Sequence, residues 1–254
     1  MLPSLLTHHY GANSGHNSFA KLPIPEFLRR AFHRDQMELD SAVAQMYHTL
    51  TAPSQVFRLS RTRKMTKNHY YRDDPAFIVL QVLLIAIVTT VFGVCLSQRP
   101  LKILYTVIYE CFVNYLALGA LIATALWRYC NRFLMAGVML HEVRREVEWP
   151  YSFDVHCNSF FPYFVLTSVV HLAALPLLSG EGFWSRLLAN SIYAAGACAY
   201  CYVTFLGYLE MPMLQRQHLL LYPIAVIVVL AVLGTVVVPV NMSHVVVRFV
   251  WPLD

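Results

Sequence analysis

Four groups of residues in this chain have types and spacings that could do chemistry. The first is the stretch "DVHCN", where Asp154, His156, Cys157 and Asn158 bring an acid, an imidazole, a thiol and an amide close together. If this stretch is extended, Asp154, His156 and Asn158 share one face, as a metal or a polar ligand requires; in a helix they diverge. The second group is Glu110 with Asn114, four apart and so on one face of a helix. They lie in an apolar run, where a carboxylate is costly unless it is paired, protonated or facing water. His171 and Asn190, in later apolar runs, are candidate partners for them. The third group, "HEVRREVEW", opens with His141 and Glu142 as a zinc-protease helix does, but Arg145 stands where the second histidine belongs. With one ligand per face the metal reading fails, and Glu142, Arg145, Glu146 and Glu148 read instead as a solvated helix of mixed charge. The fourth group is the C-x-x-C of Cys198 and Cys201 in "GACAYCYVTF". Lacking a second pair, it reads as small, apolar-like packing rather than as a metal site.

The "DVHC" run bears a superficial likeness to the Asp-His-His-Cys signature of membrane palmitoyltransferases. Here Val155 replaces the first histidine and the flanking zinc-binding cysteines are absent. Activating Cys157 through His156 requires a thiolate held beside a base, yet neighbours on a helix point about 100° apart. Acyl transfer is therefore not expected. Around the same run Trp149, Tyr151, Phe153, Phe160, Phe161 and Tyr163 fit an interfacial aromatic belt, with Pro150 and Pro162 shaping the approach to an apolar segment. Two polar sets remain. Asp154, His156 and Asn158 form a candidate patch where a membrane segment begins, and Glu110, Asn114 and His171 form a candidate intramembrane cluster. A lipid or small-solute transporter, or a scramblase, would use such groups; no catalytic, cofactor-binding or metal-ligating residue is expected, and the chain does not read as an enzyme.

The elements that must position these residues follow from composition. The chain has 254 residues, 57% of them hydrophobic and only 13% charged. Five stretches, 76–97, 103–127, 155–178, 183–209 and 219–240, each hold about 20 or more mostly apolar residues, enough to cross a membrane as helices. The expected fold is an all-α membrane protein of five spans behind a helical N-terminal region. The opening residues lack a charged segment followed by a continuous apolar core, so a cleaved signal peptide is not expected. Ten of the 19 basic residues lie before the first span, and Arg128, Arg132, Arg144 and Arg145 lie between the second and third. By the positive-inside rule the N-terminus is cytosolic and the C-terminus lumenal. The six cysteines all sit in or beside spans, so no disulfide framework is implied.

Four regions result: a disordered cytosolic tail (1–24), an amphipathic and basic helical region (25–75), the five-span bundle (76–240) and a short lumenal tail (241–254). Pro25 and Glu26 suit a first helical turn, after which Leu39, Val43, Met46, Tyr47 and Leu50 recur at helical spacing. Phe27, Leu28 and Phe32 among Arg29, Arg30 and Arg34 suit a helix on an anionic leaflet or on the ends of the spans. Arg58, Arg61, Arg63, Lys64 and Lys67 form a candidate basic patch for lipid head groups or a partner. Nucleic acid uses such runs too, but a position just before a span favours the membrane. Asp73 or Asp74 is a candidate N-cap ahead of Pro75. Ser191, Ala195 and Ala199, with Gly196 beside them, mark a close-packing face on span four. Asn241 in "NMS" is a formal glycosylation acceptor too near span five to be used.

One resemblance is specific. "RDDPAF" (72–77), "VEWPYSFDVHCNSFFP" (147–162), "YVTFLGY" (202–208) and "LLLYPIA" (219–225), in that order among five spans, resemble the uncoordinated-50 (Unc-50) family of Golgi membrane proteins. The similarity also takes in the segments "MELDSAVAQM" and "TAPSQVFR" ahead of the first span. It implies a multi-pass protein of the Golgi and early secretory pathway that serves vesicle-mediated protein transport. Implied partners are membrane lipids, the large guanine-nucleotide exchange factors of Arf GTPases, and cell-surface receptor cargo. An RNA-binding activity also goes with the resemblance; Arg58–Lys67 is where it would lie, and RNA is the weakest of the implied partners. The family supplies no catalytic residue to carry over.

Overall fold

The structure is a computed structural model and describes residues 38–136 and 146–251. The expected tail 1–24, the helix start at Pro25 with Phe27, Leu28 and Phe32, and the His141–Arg145 run lie outside the described residues. Among the described residues all regular elements are helical apart from one isolated bridge between Met135 and Leu214. Two helices, α1 (Leu39–Thr51) and α2 (Pro53–Lys67), precede five that are long and apolar enough to cross a membrane. These are α3 (Ala76–Cys95), α4 (Pro100–Leu134), α5 (Trp149–Leu178), α6 (Phe183–Leu209) and α7 (Gln217–Val236). A further helix, α8 (Met242–Val250), follows α7. We call the side on which α3 begins the near face; α1 and α2 lie there, and α8 lies at the far face.

The reason the five long helices form is plain in their residues. Each is long and mainly apolar, and within a membrane all backbone N–H and C=O groups must bond inside the segment. Their outer surfaces stay apolar: Leu83, Ile87, Val91 and Val94 of α3 and Val226, Val229, Leu230 and Val236 of α7 are exposed. Pro100 begins α4, since a proline at the first helical position loses no bond. That helix runs on to Leu134, past the expected limit at Trp127, because its last turns pair with protein. Asn131 clasps Val147 through both of its amide atoms, at 2.9 and 3.1 Å. Ala136 and Gln215 then exchange backbone bonds with Met213 and Leu134, tying the α4 end to the α6–α7 connection.

The third long helix, α5, is the centre of the molecule and starts at Trp149 rather than at Val155. Of the six aromatic residues that read as a boundary belt, Tyr151 and Phe161 are buried and Trp149, Phe153, Phe160 and Tyr163 are half-buried; Phe164, Ser152, Val155, Cys157 and Ser159 are buried beside them. Around α5 stand two packed clusters. One joins Tyr151 and Val155 to Phe57, Val203, Leu206 and Tyr208; the other joins Cys157 and Phe161 to Phe77, Ile85 and Tyr115.

Two packing expectations need correction. On α1 the buried residues are Ala42, Met46 and Thr49, whereas Val43, Tyr47 and Leu50 are 57%, 64% and 46% exposed. The helix turns its small Ala42 inward so that it can lie close on α3 and α5, and three of the five residues of its apolar stripe are left outside. On α6, Ser191 and Ala195 are exposed; Gly196 alone of that set is buried, where a Cβ would meet the Thr167 methyl.

Candidate functional site

At the near face the charges of α2 and of the 68–74 segment meet the start of α5. Asp154 receives two arginines: Arg72 Nε stands 2.9 Å from one carboxylate oxygen and Arg63 Nη1 3.5 Å from the other. The Arg72 Nε contact is an ion pair without hydrogen-bond alignment. Arg72 Nη2 also donates to Asn158 Oδ1, and its guanidinium lies 4.1 Å over the Phe77 ring. Burial pushes the Arg72 guanidinium below its ordinary range while Asp154 pulls it back up. Asn158 is held in turn by Nδ2 donating to the Asp154 carbonyl at 2.8 Å. This is a closed, charge-assisted lock between the approach segment and α5.

The rest of the basic run is also engaged. Lys64 pairs with Glu148 at 3.4 Å and sits over Tyr70, Lys67 pairs with Asp73 at 2.6 Å, and Arg61 reaches Glu210 at 3.4 Å. Among the described residues Arg58 alone of the five makes no ion pair. Asp74 takes the N–H of Ala76 and of Glu38, so one carboxylate serves the starts of both α3 and α1. The run that reads as a basic surface is therefore mainly a set of fastenings, and α1 and α2 form a platform bolted to the bundle.

His156 faces elsewhere. Asp154 and Asn158, one turn apart, share the Arg72 side of α5, while His156 points into the bundle. Its Nε2 lies 3.2 Å from the Tyr115 carbonyl, which only accepts, so Nε2 carries the proton; Nδ1 then accepts from the Tyr200 hydroxyl at 2.7 Å. Both nitrogens of a neutral ring are thus satisfied. Gly119 makes the fit possible: a Cβ there would overlap the imidazole. Tyr115 is fully buried and donates to Gln81 Oε1 at 2.9 Å, in a stretch of α4 (Tyr109–Ala117) wound as a π-helix. Cys157 is 0% exposed and faces the second apolar cluster. Among the described residues no group of three or more His, Cys, Asp or Glu gathers as a metal would need.

Toward the far face the second polar set surrounds a cavity of about 300 Å³. Glu110, Asn114 and His171 all line it, so the structure does bring these three together. Asn114 Nδ2 donates to Glu110 Oε2 at 3.0 Å. His171 is fixed by Ser243 Oγ at 2.7 Å and the Tyr193 hydroxyl at 2.9 Å. Asn190 does not join them. It ties α6 to α7 and to the following turn through Thr235, Val240 and Met242. Asn241 caps α8 through Ser243 N and donates to the Leu178 and Gly180 carbonyls, so the sequon amide is committed inside the fold.

The sequence singles out no role for Arg72, Tyr200, Gly119 or Trp251, and Glu148, which reads as part of a solvated charged face, is instead a partner of Lys64. A signal existed for the first: Asp154 and Asn158 at i, i+4 form a helical face that calls for a donor, and Arg72 sits in the family-specific "RDDPAF". None existed for Tyr200 or Trp251, whose partners are set by packing alone.

Comparison with known proteins agrees in extent with this architecture. Residues 27–251 match the model of the UNC-50 family. The chain is 38% identical over 227 residues to "Protein unc-50 homolog" of Dictyostelium discoideum, covering 89% of this chain and 87% of that protein. It is 38% identical over 213 residues to "Protein unc-50" of Caenorhabditis elegans, covering 83% and 68%. With "Protein GMH1 homolog" of Schizosaccharomyces pombe it shares 36% over 197 residues, covering 77% and 84%. No solved structure matches the chain. A family match over nearly the whole described bundle, together with relatives aligned along most of their own lengths, establishes that this chain belongs to the UNC-50 family.

Proposed function

We propose that the protein is a Golgi membrane scaffold in vesicle-mediated protein transport, one that recruits Arf guanine-nucleotide exchange factors and supports delivery of cell-surface receptors. In this reading the near face is cytosolic, the far face lumenal, and no catalysis is involved. The observation that carries the proposal is the platform of α1 and α2. Ion pairs and the Asp74 caps hold it in place, yet it leaves Val43, Tyr47 and Leu50 outside on one helical stripe, with Leu59 and Met65 exposed on α2. A rigid helix pair with an apolar stripe beside the exposed Arg58 and Lys67 is the kind of surface a soluble helical partner takes. Anionic lipid of the same leaflet would meet those two cations at the rim.

The test uses the full chain in cells lacking the endogenous protein. V43D/Y47D/L50D replaces the stripe without touching the buried Ala42, Met46 or Thr49. The expected result is normal Golgi residence with loss of Arf exchange factor from the membrane and failure of receptor delivery. Recruitment equal to that of the unaltered protein would overturn the proposal.

A further inference from the structure

The cavity at the far face has features that the scaffold reading leaves unused. Its walls differ in character. From α8 and the residue after it come only apolar groups, including Val246, Val250 and Trp251, while α4 contributes Glu110 and Asn114. Trp251 is held there firmly: it stacks on Phe92 at 6.5 Å with the rings 10° apart, and Gly93 is small so that the indole can pass, since a Cβ would stand 2.7 Å from it.

The charge pattern narrows what such a space accepts. Among the described residues no lysine or arginine lines it, so an anionic head group would meet Glu110 without compensation. Both nitrogens of His171 are already engaged. Asn114 satisfies Glu110 Oε2, and among the described residues no donor reaches Oε1. A carboxylate oxygen left open beside apolar walls calls for a donor that arrives with an apolar body. The volume, about 300 Å³, lies at the lower end for small-molecule sites, so it takes a head and the start of one chain rather than a two-chain phospholipid.

We propose that this cavity is an intramembrane binding site for a single-chain lipid amine, whose primary ammonium donates to Glu110 and whose first methylenes lie against α8 and Phe92. The site does not depend on the trafficking role and can be present or absent whatever the near face does.

The test uses the purified full chain in neutral phosphatidylcholine nanodiscs and a long-chain primary amine carrying a diazirine in its tail. Labelled peptides are mapped by mass spectrometry. The expected pattern is saturable labelling of 160–171 and 242–251, above the background labelling of the lipid-facing residues of α7. Dodecylamine competes and dodecanoate does not. E110Q keeps an acceptor for Asn114 but loses the charge, and it lowers affinity by at least about tenfold, the value of one charge-assisted hydrogen bond. V246W fills the cavity from the α8 wall and removes the saturable labelling while leaving that of α7 unchanged, which keeps the test open should E110Q fold poorly. Labelling unchanged in both variants, or dodecanoate competing as well as dodecylamine, overturns the site; dodecanol competing as well as the amine overturns the ammonium assignment.

Discussion

The Asp154 lock at the near face and the Glu110 cavity at the far face begin from the same ingredients, a carboxylate and an amide one helical turn apart. Their environments part them. Asp154 has two arginines and Asn158 accepts from one of them, so the near group is filled and closed. Glu110 has a single amide partner and open space beside it. The lesson is that polarity within a span does not by itself mark a binding site. What marks one is a polar atom with room beside it and no partner, whereas a polar group paired and packed round with protein is a rivet.

That difference orders the effects of substitution. The largest belongs to D154A, which leaves Arg72 buried without its carboxylate; losing one partner of a buried pair costs about 3–5 kcal/mol. Thermal unfolding of the purified protein in detergent should show it as the greatest drop in midpoint, with D154N intermediate. Next is G119V, which drives a side chain into the His156 ring, at about 1–3 kcal/mol for overpacking. Replacing Tyr200 by Phe removes the donor to His156 Nδ1 and should cost about 1–2 kcal/mol in the same assay. Smallest are E110Q and K67A, each under about 1 kcal/mol: the first keeps its bond to Asn114, and the second opens an exposed pair. A drop for E110Q as large as that for D154A would erase the contrast between rivet and site. A more stable E110Q would sharpen it, because groups kept open for a ligand tend to sit at the expense of stability.

The comparison also shows what the residues disclose before any coordinates. The five spans were legible because about 20 apolar residues in a row have few other fates. The far cluster was legible in part, since i, i+4 spacing binds Glu110 to Asn114 in any helix, and His171 joined them. The near patch is legible only in part, because its residues leave the backbone conformation open. Asp154, His156 and Asn158 share one face only in an extended chain; in the helix that forms, 154 and 158 stay together and 156 leaves. The basic run from Arg58 to Lys67 looked like a surface because its counter-charges, Glu148, Asp154 and Glu210, lie far along the chain. Two rings of the expected aromatic belt, Tyr151 and Phe161, are buried in the bundle, because a ring bound for a membrane boundary and one bound for the centre of a bundle look alike in a sequence.

The Arg72 lock has a consequence for how the protein is made. Arg72 leaves the ribosome before the first span, whereas Asn158 emerges 86 residues later. Until α5 has been made, the arginine has neither Asp154 nor Asn158 to meet. Packing of α5 converts the same charge from an unpaired cation into a buried fastening, so a nascent chain halted after α4 would display an unanswered guanidinium as a mark of incomplete assembly.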